Sequence, residues 1–144
     1  MNVLSLPNQP ATEAFAVRLA ELSRPGDVIA LRGEMGMGKS VFARAFLRAL
    51  ASDPSLEVPS PTFSLVQIYE LPKATVAHFD LWRLDGPDAL FELGWDEVQQ
   101  GIMLVEWPER AGEELPSHAL HLTLLPGTGE TERMAQVTGW DDRL

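Results

Sequence analysis

A chain of 144 residues, 45% hydrophobic and 22% charged, suits one globular domain over residues 1–144. Its 11 Lys and Arg against 21 Asp and Glu leave a formal charge of −10, which repels phosphate backbones and argues against autonomous nucleic-acid binding. Without cysteine there is no disulfide framework or thiolate zinc site, and no apolar run nears the roughly 20 residues of a membrane span. The expectation is a soluble, unexported cytoplasmic protein without membrane contact.

Val3 to Leu6 reads as a short strand. From Pro10 to Ser23, Phe15, Leu19 and Leu22 recur at helical spacing before the stop Arg24-Pro25-Gly26, which predicts the first helix. Asp27 to Arg32 is a nearly continuous apolar run, as in a strand covered on both faces of a parallel sheet. It enters a glycine-rich turn, after which Phe42, Phe46, Ala49 and Leu50 stripe a second helix from Lys39 to Ala51. Ser64 to Leu71 and Thr75 to Leu81 are β-rich and separated by a hairpin-length turn. Asp85 is the expected cap of a short helix with Pro87 in its first turn and Gly94 at its end, and Trp95 to Gln100 adds a further helical turn. Ile102 to Trp107 is again an apolar strand, and His118 to Leu125 with Arg133 to Thr138 forms a second hairpin. The order predicts a mixed α/β domain.

Between the second strand and second helix, Gly33-Glu34-Met35-Gly36-Met37-Gly38-Lys39-Ser40 matches G-x-x-x-x-G-K-[ST], the loop that wraps nucleotide phosphates. Glycines permit backbone dihedrals closed to other residues and bring N–H groups against phosphate oxygens at the positive end of a helix. Lys39, taken as an exposed loop lysine, is the candidate for the β and γ phosphates, and the Ser40 hydroxyl for Mg²⁺. The expected cofactor-binding set is Gly33 to Val41 with Trp107, although Met35 and Met37 receive no chemistry of their own. Such a site also uses a carboxylate at a neighbouring strand end. Asp80 and Glu106 both fit, and spacing alone does not choose between them. Thr62, in Ser60-Pro61-Thr62-Phe63, is read as a switch-like residue near the γ-phosphate or as a plain proline-bracketed turn. His78 is read as a hydrogen-bonded strand residue, and His118 and His121 as pointing to opposite faces. Trp82 and Trp95 default to core or interface, as does Trp107, whose place after Glu106 also suits it to shield the nucleotide.

Taken together these motifs resemble the bacterial TsaE (YjeE) family, the ATPase of tRNA threonylcarbamoyladenosine biosynthesis. The resemblance rests on GEMGMGKS (Gly33 to Ser40), SPTFSLVQIYE (Ser60 to Glu70), HFDLWRL (His78 to Leu84), Leu93-Gly94 and VEWPER (Val105 to Arg110), and covers roughly Leu6 to Leu125. It implies a P-loop NTPase-like three-layer α/β fold with a mixed, partly antiparallel central sheet. It also implies slow Mg²⁺-dependent ATP hydrolysis and association with the two-protein ASKHA-fold threonylcarbamoyltransferase complex, with tRNA met only indirectly and no DNA. Carried over by motif, Lys39 contacts phosphates, Ser40 and Glu106 hold Mg²⁺, Asp80 serves hydrolysis by orienting water, and Thr62 lies in a mobile loop near the γ-phosphate. The family's base contacts fall around Asn8 to Thr12. Ser40 replaces the family's usual Thr, and Trp82 a common Tyr; neither removes a required functional group. A small-molecule P-loop kinase and a nucleotide-sensing binding module are the competing functions; no arginine-rich lid insertion supports the first, and no N-K-x-D motif points to guanine.

Overall fold

A computed structural model describes residues 2–144. In chain order the elements are β1 (Asn2–Leu6), α1 (Gln9–Leu22), β2 (Val28–Arg32), α2 (Lys39–Ala51), β3 (Val66–Glu70), β4 (Thr75–Asp80), β5 (Ile102–Glu106), β6 (Leu120–Pro126) and β7 (Arg133–Thr138). Three 3₁₀ segments, Pro87–Leu93, Asp96–Val98 and Pro108–Glu114, fill the loops. The seven strands form one sheet ordered β1-β7-β6-β2-β5-β4-β3. Its centre, β6-β2-β5-β4, is parallel, and antiparallel pairs β3/β4, β6/β7 and β7/β1 flank it.

Alternation along the central strands sorts residues onto two faces. Ile29 and Leu31 of β2, Val76 of β4, and Ile102 and Leu104 of β5 pack with Phe15, Leu19, Phe42 and Phe46 of the two helices. Val28, Ala30, Ala77, Phe79, Met103 and Val105 face Leu90, Trp95 and Ala111 of the 3₁₀ layer. The expected three-layer P-loop NTPase-like fold with a mixed sheet is the one observed. The same alternation turns His78, Asp80 and Glu106 toward the helix layer, in step with Val76 and Leu104.

Three local expectations are corrected. The segment after Asp85 is 3₁₀, and its N-cap is Gly86 without a side-chain bond, because Pro87 at the first position sets the start of the turn one residue later. The hairpin strand begins at Val66, where Ser64 was expected, because Leu65 takes a left-handed φ of 69° and donates its N–H back to the Pro61 carbonyl. β6 begins at Leu120: His118 lies in the preceding turn and bonds the Gly26 carbonyl, while His121 bonds Arg32, so the two are not opposed on one strand. The 3₁₀ segment Pro108–Glu114 carries no apolar periodicity that would have announced it.

Candidate functional site

The glycine loop turns back over the end of β2 through positive φ values of 86° at Gly36 and 102° at Gly38. A Cβ at either position would meet nothing within 4 Å, so glycine is required there by backbone conformation, and open space lies before the loop. Gly38 is the N-cap of α2 and supplies no side-chain cap, which leaves the first N–H groups of the helix facing that space. Arg133 of β7 braces the loop by donating to the Gly36 carbonyl at 3.3 Å.

Lys39 opens α2 and is 9% exposed, so it is a buried residue of the helix rather than the free loop lysine that the sequence suggested. Its Nζ lies 4.2 Å from the centre of the Trp107 ring, and Trp82 covers the same indole at 4.4 Å between centroids. Trp107 is able to reach this place because it turns out of β5 in a left-handed conformation, φ 55°. Trp95, by contrast, is core.

β4 and β5 pair in parallel with Asp80 directly beside Glu106, so two carboxylates, each only 6% exposed, end on neighbouring strands under the start of α2. Asp80 accepts from the Trp82 N–H at 3.1 Å and from the Thr62 hydroxyl at 3.3 Å; Thr62 in turn bonds Ser60 at 2.7 Å. Thr62 is thus both a turn residue and a contact of Asp80. Glu106 bonds His78 at 2.6 Å. Among the described residues neither carboxylate pairs with an Arg or Lys. A cavity of about 570 Å³ lies between these groups, lined by Glu34, Met35, Gly36, Gly38, Lys39, Ser40 and Val41 from the loop and helix, and by Ser60, Thr62, Asp80, Trp82, Arg83, Glu106 and Trp107 opposite. Gly33 and Met37 are not in that lining. Neither are Asn8, whose carboxamide oxygen caps α1, and Thr12, which is buried.

Sequence reasoning left two participants unassigned. Of Arg32, Arg44, Arg83 and Arg110, which the sequence alone does not choose between, Arg83 lines the cavity, its guanidinium over the Phe63 ring, whereas Arg32 is engaged by His121 and Glu109 and Arg110 lies over Trp82 outside the lining. His78 meets Glu106, which its place two residues before Asp80 on one strand face would have suggested. No group of three or more His, Asp or Glu among the described residues makes a metal centre by itself. Two strand-end carboxylates beside a helix-start hydroxyl instead form a partial, hard-oxygen donor set of the kind that Mg²⁺ completes with phosphates and water.

A glycine loop joining a parallel strand to a helix, with carboxylates on the adjacent strand ends, defines a P-loop NTPase-like domain. The chain belongs to the TsaE family: the model described as Threonylcarbamoyl adenosine biosynthesis protein TsaE matches residues 6–135. Among relatives named tRNA threonylcarbamoyladenosine biosynthesis protein TsaE, that of Bacillus subtilis is 33% identical over 138 residues, covering 94% of this chain and 84% of its own. That of Aquifex aeolicus is 38% identical over 105 residues, 73% of this chain and 75% of its own. That of Rickettsia felis is 36% identical over 108 residues, 74% of this chain, and the match spans 63% of the Rickettsia protein. The crystal structure of Bacillus subtilis YdiB superposes with a TM-score of 0.75 at 28% identity, covering 99% of this chain and 87% of that one.

Proposed function

We propose that this chain is a Mg²⁺-dependent ATPase of a single domain, residues 1–144, that serves threonylcarbamoyl modification of the adenosine next to the anticodon in tRNAs. It acts in the cytoplasm through the two-protein ASKHA-fold threonylcarbamoyltransferase complex, meeting tRNA only through that complex and engaging neither membrane nor DNA. The observation that carries the reading is the convergence on one cavity of the glycine loop, Lys39 and two buried carboxylates that pair with no Arg or Lys among the described residues. The membership in the TsaE family and the names of the relatives supply the pathway.

In this reading the N–H groups of Gly36 and of Gly38 to Val41 cradle the phosphates, and Lys39 leaves the Trp107 face to meet the β and γ phosphates. Trp107 then shields the nucleotide. Ser40 and Glu106 would hold Mg²⁺, which would neutralise charge on the phosphates. Asp80, oriented by Thr62 and the Trp82 N–H, positions the water that attacks the γ-phosphorus as the bond to the bridging oxygen breaks; Arg83 is the cation placed to meet the charge that develops.

Multiple-turnover phosphate release by the chain alone, then with both partner proteins, tests the proposal. Slow release alone and strong stimulation by the partners is expected. No release in either arm, or transfer of phosphate to a metabolite, contradicts it.

A further inference from the structure

We infer that His78 is a positioning residue that aims the Glu106 carboxylate at the divalent cation, an inference that rests on the ATP-site reading above. His78 sits in the middle of β4 and is 2% exposed, and its Nε2 is 2.6 Å from Oε2 of Glu106. The other ring nitrogen, Nδ1, is buried with no hydrogen-bond partner among the described residues. Its register neighbours are Gln67 on β3 and Leu104 on β5, and the Gln67 carboxamide is spent on Ser64. An orphaned buried N–H costs more than an orphaned lone pair, so the proton belongs on Nε2. The imidazole then donates from Nε2 to one carboxylate oxygen, fixing the carboxyl plane and leaving the second oxygen for the cavity side.

Packing alone does not call for an imidazole here, since an aliphatic side chain would fill the slot without an unsatisfied Nδ1; what it would remove is the donor to the buried Glu106 carboxylate. Asp80, two residues along the same face, takes its bonds from Trp82 and Thr62. The two carboxylates are therefore held by separate donors.

Hydrogen-bond partners behind a metal-binding side chain typically change metal affinity by about 10- to 100-fold when removed. The test is an Mg²⁺ titration of the full chain in saturating ADP, read by the fluorescence of Trp82 and Trp107, alongside ADP affinity in EDTA. For His78→Leu, half-saturation by Mg²⁺ should rise about 10- to 100-fold while the EDTA affinity moves less than about threefold. His78→Gln, whose amide nitrogen falls near Nε2, should recover most of the loss. A shift below about threefold in His78→Leu, equal losses with and without Mg²⁺, or no recovery in His78→Gln overturns the inference. The parent chain gives an independent readout if the variants do not fold: nitrogen-15 NMR should find His78 in the Nε2–H tautomer, and the Nδ1–H tautomer overturns it. If Glu106→Gln abolishes Mg²⁺ dependence and His78→Leu does not, this inference alone falls. If ADP binding by the parent is indifferent to Mg²⁺, the ATP-site reading falls and takes it along.

Discussion

Asp80 and Glu106 stand side by side in register yet have different partners, and the proposed function gives them different roles. Glu106 is held by His78, whereas Asp80 is held by the Thr62 hydroxyl and the Trp82 amide; in the proposed reading the first serves the cation and the second the attacking water. Asp80→Asn should keep ATP binding within about threefold and slow hydrolysis by about 10² or more, since it removes a group acting on the water. Glu106→Gln should raise the Mg²⁺ requirement for binding by about tenfold or more; calorimetry with and without Mg²⁺ checks both, and the reverse pattern exchanges their roles. The motifs had made both carboxylates legible, because each closes an apolar run. What they could not convey is the partner of each, which comes from pairing between strands distant in sequence.

His121 illustrates a second residue-scale effect. Burial and the neighbouring Arg32 guanidinium, which donates to its Nδ1 at 2.8 Å, hold its pKa below the usual histidine value. The unfolded chain therefore binds more protons than the folded one below about pH 6.5, so this contribution to stability is complete above that pH and is lost as pH falls from there through the lowered folded-state value. Urea unfolding across pH 5 to 8 should give a shallower acid decline in His121→Gln than in the parent.

At the scale of elements, the strand-loop-helix unit was legible because an all-apolar run, a glycine turn and a 3.6-residue stripe follow one another without ambiguity. In the 3₁₀ layer the turns Pro87–Leu93 and Asp96–Val98 were legible as short helical segments, though not as 3₁₀, whereas Pro108–Glu114 was not, because Pro108 and Gly112 interrupt any period and tertiary contacts such as that of Ala111 decide its path. The C-terminal turn was likewise silent. There Arg143 donates twice to Asp27, at 2.6 and 3.0 Å, and once to the Leu22 carbonyl, tying the end of the chain to the α1–β2 junction. The Asp27 hydrogen bonds raise the Arg143 pKa. Arg143→Ala removes the cation from an aspartate that is only 6% exposed, leaving it the Arg24 N–H as donor, and should cost about 3 kcal/mol of unfolding free energy; a loss below about 0.5 kcal/mol would reduce the contact to a surface ion pair.

For the molecule as a whole, a charge of −10 predicts that the isolated chain does not hold tRNA at physiological salt. Micromolar or tighter binding in a titration would contradict that, since non-specific binding by nucleic-acid-binding proteins reaches only about 10⁻⁴ to 10⁻⁶ M there. The central claim is that the cavity under the glycine loop binds Mg·ATP through Lys39. Because Lys39 is buried over Trp107, Lys39→Ala should cost about 1–2 kcal/mol of stability, small against the about 5–15 kcal/mol of a typical domain, so the variant remains folded and interpretable. Calorimetric titration of a non-hydrolysable ATP analogue with Mg²⁺ should show one saturable site in the parent and none in folded Lys39→Ala. Undiminished binding by the variant, or none by the parent, would contradict the account.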